Sequence, residues 1–117
     1  MILCLLKSKL HHARVTETRL EYQGSLTLDE ELMEKAGILP YEQIHVYNLE
    51  NGQRFETYVI PGPRGERGVV VNGAAARLAA KGDRIIIAVY TYMTPEEARE
   101  HRPRVLILGP DNQILSP

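Results

Sequence analysis

Apolar residues recur at every second position over much of the chain, the period of strands with one buried face, with shorter stretches of helical spacing between them. "MILCLL" and "HHARVTETRLEY" read as strands. In the second, Ala13, Val15 and Glu17 alternate with Arg14, Thr16 and Thr18 before Leu20 and Tyr22, and the run stops at Gly24-Ser25. "TLDEELMEKAG" predicts a short helix with Thr27 or Asp29 as its cap, acidic residues in its first turn and Gly37 closing it. Leu28, Leu32, Met33 and Ala36 would form its buried stripe.

"QIHVYNLENGQRFETYVI" predicts a hairpin, because Asn51-Gly52 suits the positive φ angles of a tight turn. The proline- and glycine-rich "PGPRGERG" reads as a loop. "VVV" then leads into a small helix in "NGAAARLAAKGD", with Asn72 as cap and Gly82 as stop. "RIIIAVYTYM" is a long apolar strand, and "TPEEAREH" carries a helix start with Thr94 as cap, Pro95 at the first position and Glu97 completing a capping box. "RVLILG" and "QIL" pair across the turn residues "PDN". Short strands separated by small helices predict a mainly β protein, a closed or nearly closed barrel. At 117 residues a single domain, 1–117, is expected, with an aliphatic core since phenylalanine occurs once and tryptophan not at all.

Composition narrows the function. The formal net charge of -1 provides no overall drive toward nucleic acid, and aromatic residues for base stacking are few. Cys4 is the only cysteine, so no internal disulfide is expected, and it reads as a small buried hydrophobe in a reducing compartment. "MILCLL" is short and followed by Lys7 and Lys9, unlike a signal peptide or a membrane span, so a cytoplasmic location without membrane contact is expected. His11 and His12, adjacent on a strand, should face opposite ways, and His45 and His101 lie elsewhere, so no metal site is expected.

Ser25 lacks the surroundings of a hydrolase nucleophile, and no glycine-rich stretch has the setting of a phosphate loop. In "RFETYVI" alternation places Arg54, Glu56 and Tyr58 on one face and Phe55, Thr57 and Val59 on the other. A guanidinium and a phenol thereby share a surface. "VNGAAA" offers small residues and free amides at a helix start, and Lys9 offers a cation on a strand.

In order and spacing, Lys9 and His11, then "YQGS", then "NGQRFETYVI", then "VNGAAA" resemble the pyruvoyl-dependent aspartate decarboxylase family, whose members make β-alanine for the pantothenate and coenzyme A pathway. The likeness runs from Met1 to about "RPRVLIL". It implies a double-psi β-barrel assembled as a homotetramer, cut by itself between Gly24 and Ser25 into residues 1–24 and 25–117, with Ser25 becoming a covalent pyruvoyl cofactor. It further implies L-aspartate as the substrate, joined to that group as an imine, with Thr57 stabilising the oxyanion of self-cleavage and Tyr58 returning a proton to the substrate carbon. Arg54 and Lys9 would hold the two substrate carboxylates, Asn72, Gly73, Ala74 and Ala75 would wall the pocket, and His11 and Tyr22 would shape it or assist processing. Whether a maturation partner takes part is left open. Because alternation sets Thr57 opposite Tyr58, a shared role needs a bulge, a strong twist or a neighbouring subunit. The competing expectation is a non-catalytic ligand-binding barrel in which Gly24-Ser25 is an ordinary uncleaved turn.

Overall fold

The computed structural model describes residues 1–116. Along them run β1 (Leu3–Arg14), β2 (Glu17–Arg19), β3 (Ser25–Asp29), α1 (Glu30–Ala36), β4 (Gln43–Asn48) and β5 (Arg54–Gly62). Then follow β6 (Val69–Asn72), a 3-10 helix (Gly73–Arg77), β7 (Arg84–Met93), α2 (Pro95–Glu100), β8 (Arg104–Leu108) and β9 (Ile114–Ser116).

The strands form a mixed sheet in the order β2-β6-β3-β5-β4-β7-β1-β8-β9. β1 with β8, β2 with β6 and β3 with β5 are parallel pairs, and the others are antiparallel. Curvature brings the exit of β1 back onto β6, where the Thr16 amide donates to the Val69 carbonyl at 2.8 Å. Thr16 Oγ1 reinforces the seam by accepting from the Val69 amide at 2.9 Å. The result is a double-psi β-barrel around an aliphatic core in which Leu10, Leu26, Ile44, Val59, Val71 and Ile87 have no exposed surface. Full burial of such a side chain contributes about 1.5–3 kcal/mol each.

Several local expectations are corrected. The first strand is continuous from Leu3 to Arg14, because Ser8 and Leu10 turn into the core while Lys7 and Lys9 leave it by the flanks. A bulge between Leu10 and Ala13 sets His12 at a left-handed φ of 65°, which cancels the alternation. His11 and His12 therefore stack, ring centroids 4.0 Å apart, instead of facing opposite ways.

The strand expected to run into Gly24-Ser25 ends at Arg19, and a turn closed by the Tyr22 amide on the Arg19 carbonyl precedes a new strand that begins at Ser25. Thr27 and Leu28 belong to that strand and not to the helix. Asp29 is the cap: its carboxylate accepts from the Glu31 amide at 2.8 Å, and also from the amides of Gly65 at 3.0 Å and Arg67 at 2.7 Å. Burial alone would raise its pKa, but these three donors outweigh that and hold it below the usual carboxylate range. Gly37, at φ 72°, closes α1, and Leu32, Met33 and Ala36 bury its apolar face.

The hairpin connection is longer than a two-residue turn. Gly52 alone takes a positive φ, 74°, and Tyr47 lies opposite Arg54. β5 continues through Pro61-Gly62 before the loop begins. α2 carries the expected capping box between Thr94 and Glu97. Cys4, expected inside, is exposed, because it lies on the outer side of β1 beside Tyr92. No described helix is long and apolar enough to cross a membrane.

Candidate active site

Ser25 opens β3 with 2 % of its surface exposed, directly opposite Asn72 at the end of β6. Asn72 was expected to cap the following helix. Its side chain makes no cap bond, and instead its amide nitrogen donates to Ser25 Oγ at 3.1 Å and to Thr27 Oγ1 at 2.9 Å. Asn72 is fully buried, and its Oδ1 has no hydrogen-bond partner among the described residues. Ser25 Oγ has one other polar neighbour in range, the Gln23 carbonyl at 3.5 Å.

Gly73 has φ 69°, and a Cβ there would come within 2.5 Å of Gly24 Cα and 3.0 Å of the Tyr22 carbonyl oxygen. Only a glycine both adopts this φ without strain and lets the backbone of the next segment lie flat against it. Gly24, Ser25, Asn72 and Gly73 thus form one tight contact between two chain segments far apart in sequence. Ala74 is exposed and Ala75 half-buried against the core in the 3-10 helix behind them.

β5 runs parallel to β3, with Leu26 beside Val59. The pairing ends there, and Thr57 and Tyr58 precede Val59 on β5. Burial alternates along β5, so Thr57 lies on the half-buried side and Tyr58, 40 % exposed, on the open side, as strand period requires. Tyr22 is exposed on the turn before Gly24, its ring 5.8 Å from the Arg19 guanidinium carbon.

Arg54 sits on the open face of the β4–β5 hairpin. Among the described residues it makes no ion pair, and its guanidinium lies 4.2 Å from the centre of the Tyr47 ring. The Tyr47 hydroxyl shares a 2.8 Å hydrogen bond with Tyr90, and burial, then that bond, pushes the Tyr47 phenol up to about 12. His45, Tyr47, Arg54, Phe55 and Glu56 line an open cleft of about 540 Å³. A guanidinium presented on an aromatic ring with its donors free is suited to a carboxylate.

Lys9 and His11 lie on β1, whose exit closes onto β6, the strand that pairs with β3. The neighbouring Lys7 is paired with Glu42 at 2.7 Å, whereas Lys9 makes no ion pair among the described residues. Burial, then the charges of His12 and Lys9, lower the pKa of His11, which keeps its ring neutral near pH 7. One chain therefore gathers Gly24, Ser25, Asn72 and Gly73. Among the described residues no hydrogen bond or ion pair joins Lys9, His11 or Arg54 to them.

Thr27, Asp29 and Tyr47 went unselected in the sequence. The signal for the first two is present as the strict alternation of polar and apolar residues in "SLTLD", which places Ser25, Thr27 and Asp29 on one side of a strand. Tyr47 becomes visible only once the hairpin register is known.

Comparison with known proteins accords with this arrangement. The aspartate decarboxylase family model matches residues 1–115. A Salinibacter ruber protein named aspartate 1-decarboxylase is 55% identical over 114 residues, which is 97% of this chain and 78% of that protein. Proteins of the same name from Syntrophobacter fumaroxidans (57% identical, 96% of this chain, 90% of that protein) and Caldicellulosiruptor saccharolyticus (51%, 98% and 90%) are similarly close. A match over nearly the whole length, at more than half of all positions, means that this chain belongs to the aspartate decarboxylase family.

Proposed function

We propose that this chain is a pyruvoyl-dependent aspartate 1-decarboxylase that converts L-aspartate to β-alanine and carbon dioxide for the pantothenate and coenzyme A pathway in the cytoplasm. It first cuts itself between Gly24 and Ser25 into residues 1–24 and 25–117. The observation that carries the reading is the buried Ser25 hydroxyl, held by the Asn72 amide at 3.1 Å beside a Gly24 backbone packed directly against Gly73.

An sp³ hydroxyl oxygen has two lone pairs and one hydrogen. At Ser25 one lone pair accepts from Asn72 and the hydrogen has the Gln23 carbonyl in range, so the second lone pair is free for the carbonyl carbon of Gly24. As the new C–O bond forms, the Gly24–Ser25 C–N bond breaks and the serine nitrogen takes the proton, giving an ester. Thr57 stabilises the oxyanion that develops on the way. Removal of the Ser25 Cα proton expels the Gly24 carboxylate from Cβ, and one water then replaces the nitrogen, releasing ammonia and leaving the pyruvoyl group at residue 25.

The donor set around Ser25 fits that group, since the buried Asn72 amide lies beside it and Gly73, Ala74 and Ala75 carry no bulky side chain. When formed, the group supplies a carbonyl that takes the substrate amine and draws electrons from the breaking carbon–carboxylate bond. Arg54 and Lys9 bind the two substrate carboxylates, Tyr58 returns the proton to carbon, and His11 and Tyr22 shape the pocket. The open cleft around Arg54, whose donors make no ion pair among the described residues, supports a homotetramer in which neighbouring copies complete each site.

Intact-mass measurement of the purified protein tests this directly. Two fragments divided at Gly24/Ser25, the longer reacting with a carbonyl trap, are expected. One full-length, trap-inert chain after prolonged warm incubation overturns the reading.

A further inference from the structure

The amide of Asn72 spends both of its hydrogens on β3, one on Ser25 Oγ at 3.1 Å and one on Thr27 Oγ1 at 2.9 Å. The two hydroxyls lie two residues apart on one side of the strand, so the amide plane is fixed at two points rather than one. We propose that Thr27 is a positioning residue for self-cleavage, which holds the Asn72 side chain with its nitrogen toward Ser25. The proposal rests on self-cleavage at Gly24–Ser25 and adds to it a residue that touches no reacting atom.

The alternative orientation of the amide shows why a second anchor matters. A hydroxyl either donates or accepts, so an amide held by Ser25 alone can turn and present its oxygen instead. Ser25 would then donate its hydrogen to Asn72 Oδ1, and the lone pairs of Oγ would be redirected relative to the Gly24 carbonyl. With Thr27 present both amide hydrogens are bonded to β3, and turning the group gives up both N–H bonds at once.

Thr27 is itself held. A Cβ on Gly62 would come within 2.8 Å of Thr27 Cγ2, so the threonine methyl lies against the bare Gly62 backbone. A β-branched side chain has few χ1 states, and with its methyl seated there its hydroxyl is directed to Asn72. Gly62 is not at a positive φ, so alanine is tolerated by its backbone and disturbs the site only by pushing on that methyl. Gly62, Thr27, Asn72 and Ser25 form a chain of contacts across β5, β3 and β6.

Cleavage is followed by intact mass in freshly purified precursor of the unaltered protein, Thr27→Val, Thr27→Ser and Gly62→Ala. Thermal midpoints are read in parallel on uncleavable Ser25→Ala forms carrying the same changes. Thr27→Val is expected to slow cleavage about tenfold or more, in line with the cost of misplacing a reacting group, while its thermal midpoint in the uncleavable form falls by only a few degrees, the cost of one buried amide hydrogen left without an acceptor. Thr27→Ser, which keeps the hydroxyl, is expected to recover most of the rate, and Gly62→Ala to fall between. Equal rates in Thr27→Val and the unaltered protein, or a Thr27→Ser rate as slow as that of Thr27→Val, would overturn the proposal while leaving self-cleavage standing. An unaltered protein that never cleaves would overturn both.

Discussion

The neighbourhood of Ser25 and the open face of the β4–β5 hairpin carry most of the chemistry, and they are built in opposite ways. At Ser25 the polar atoms are buried, the hydrogen bonds run between side chains distant in sequence, and a missing Cβ at Gly73 sets how closely the backbone approaches. On the hairpin face Arg54 and Tyr58 are exposed, and the donors of Arg54 are supported by an aromatic ring but not consumed. A reaction of the chain on its own backbone needs only groups that one fold can collect. A reaction on a substrate needs open space and charges that are not already neutralised.

Replacing the nucleophile gives the largest effect. Ser25→Ala is expected to abolish both cleavage and decarboxylation, read by intact mass and by release of carbon dioxide, and any activity above background would dissolve the distinction between the two regions. Next, Arg54→Gln should leave cleavage untouched and lower kcat/KM by about 10²–10³-fold, the usual loss when one partner of a charged hydrogen-bonded pair is removed. Impaired cleavage in that variant would mean the two faces are not separate.

The adjacent pair on β5 divides the regions most finely. Thr57→Val is expected to slow cleavage by about 10²-fold, whereas Tyr58→Phe cleaves normally and loses about 10²-fold in kcat. Normal turnover in Tyr58→Phe refutes this division of labour. A smaller effect is expected from Tyr47→Leu, because a cation–π contact contributes about 0.5–2 kcal/mol. KM should rise several-fold with kcat nearly unchanged, and Tyr47→Phe should restore it if the ring, and not the hydroxyl bonded to Tyr90, supports Arg54.

The mildest test concerns acid stability. The Asp29 carboxyl titrates below its ordinary value of about 3.9 in the folded chain, so its contribution is present above that pH and lost as pH falls through the folded value. Asp29→Asn, which puts an NH2 where the Arg67 amide now donates to a carboxylate oxygen, should cost about 1–3 kcal/mol near pH 7 and progressively less below pH 4. Urea midpoints at the two pH values check the sign, and a difference that grows in acid would contradict it.

Much of this was legible residue by residue. "RIIIAVYTYM" is the observed β7, and the Thr94–Glu97 capping box forms as written. "SLTLD" was equally legible and was misread because Thr27 and Asp29 are also good helix caps; the strand period and the cap signal compete, and pairing of β3 with both β5 and β6 decides for the strand. The Asn51-Gly52 pair correctly marked a hairpin. A two-residue turn would have put Tyr47 opposite Glu56, whereas the longer loop puts it opposite Arg54, and the stack follows from that difference.

By itself the sequence determined the strands, caps and turns, along with the motif order that identifies the family, because periodicity, capping and glycine conformation act over a few residues at a time. Tertiary structure alone decided that the Asn72 amide reaches Ser25 and Thr27, that Gly73 lies against Gly24, and that Arg54 rests on the Tyr47 ring. Those outcomes depend on which strands pair and in what register, and pairing is settled by burying one common core, a property of the whole chain rather than of any stretch of it.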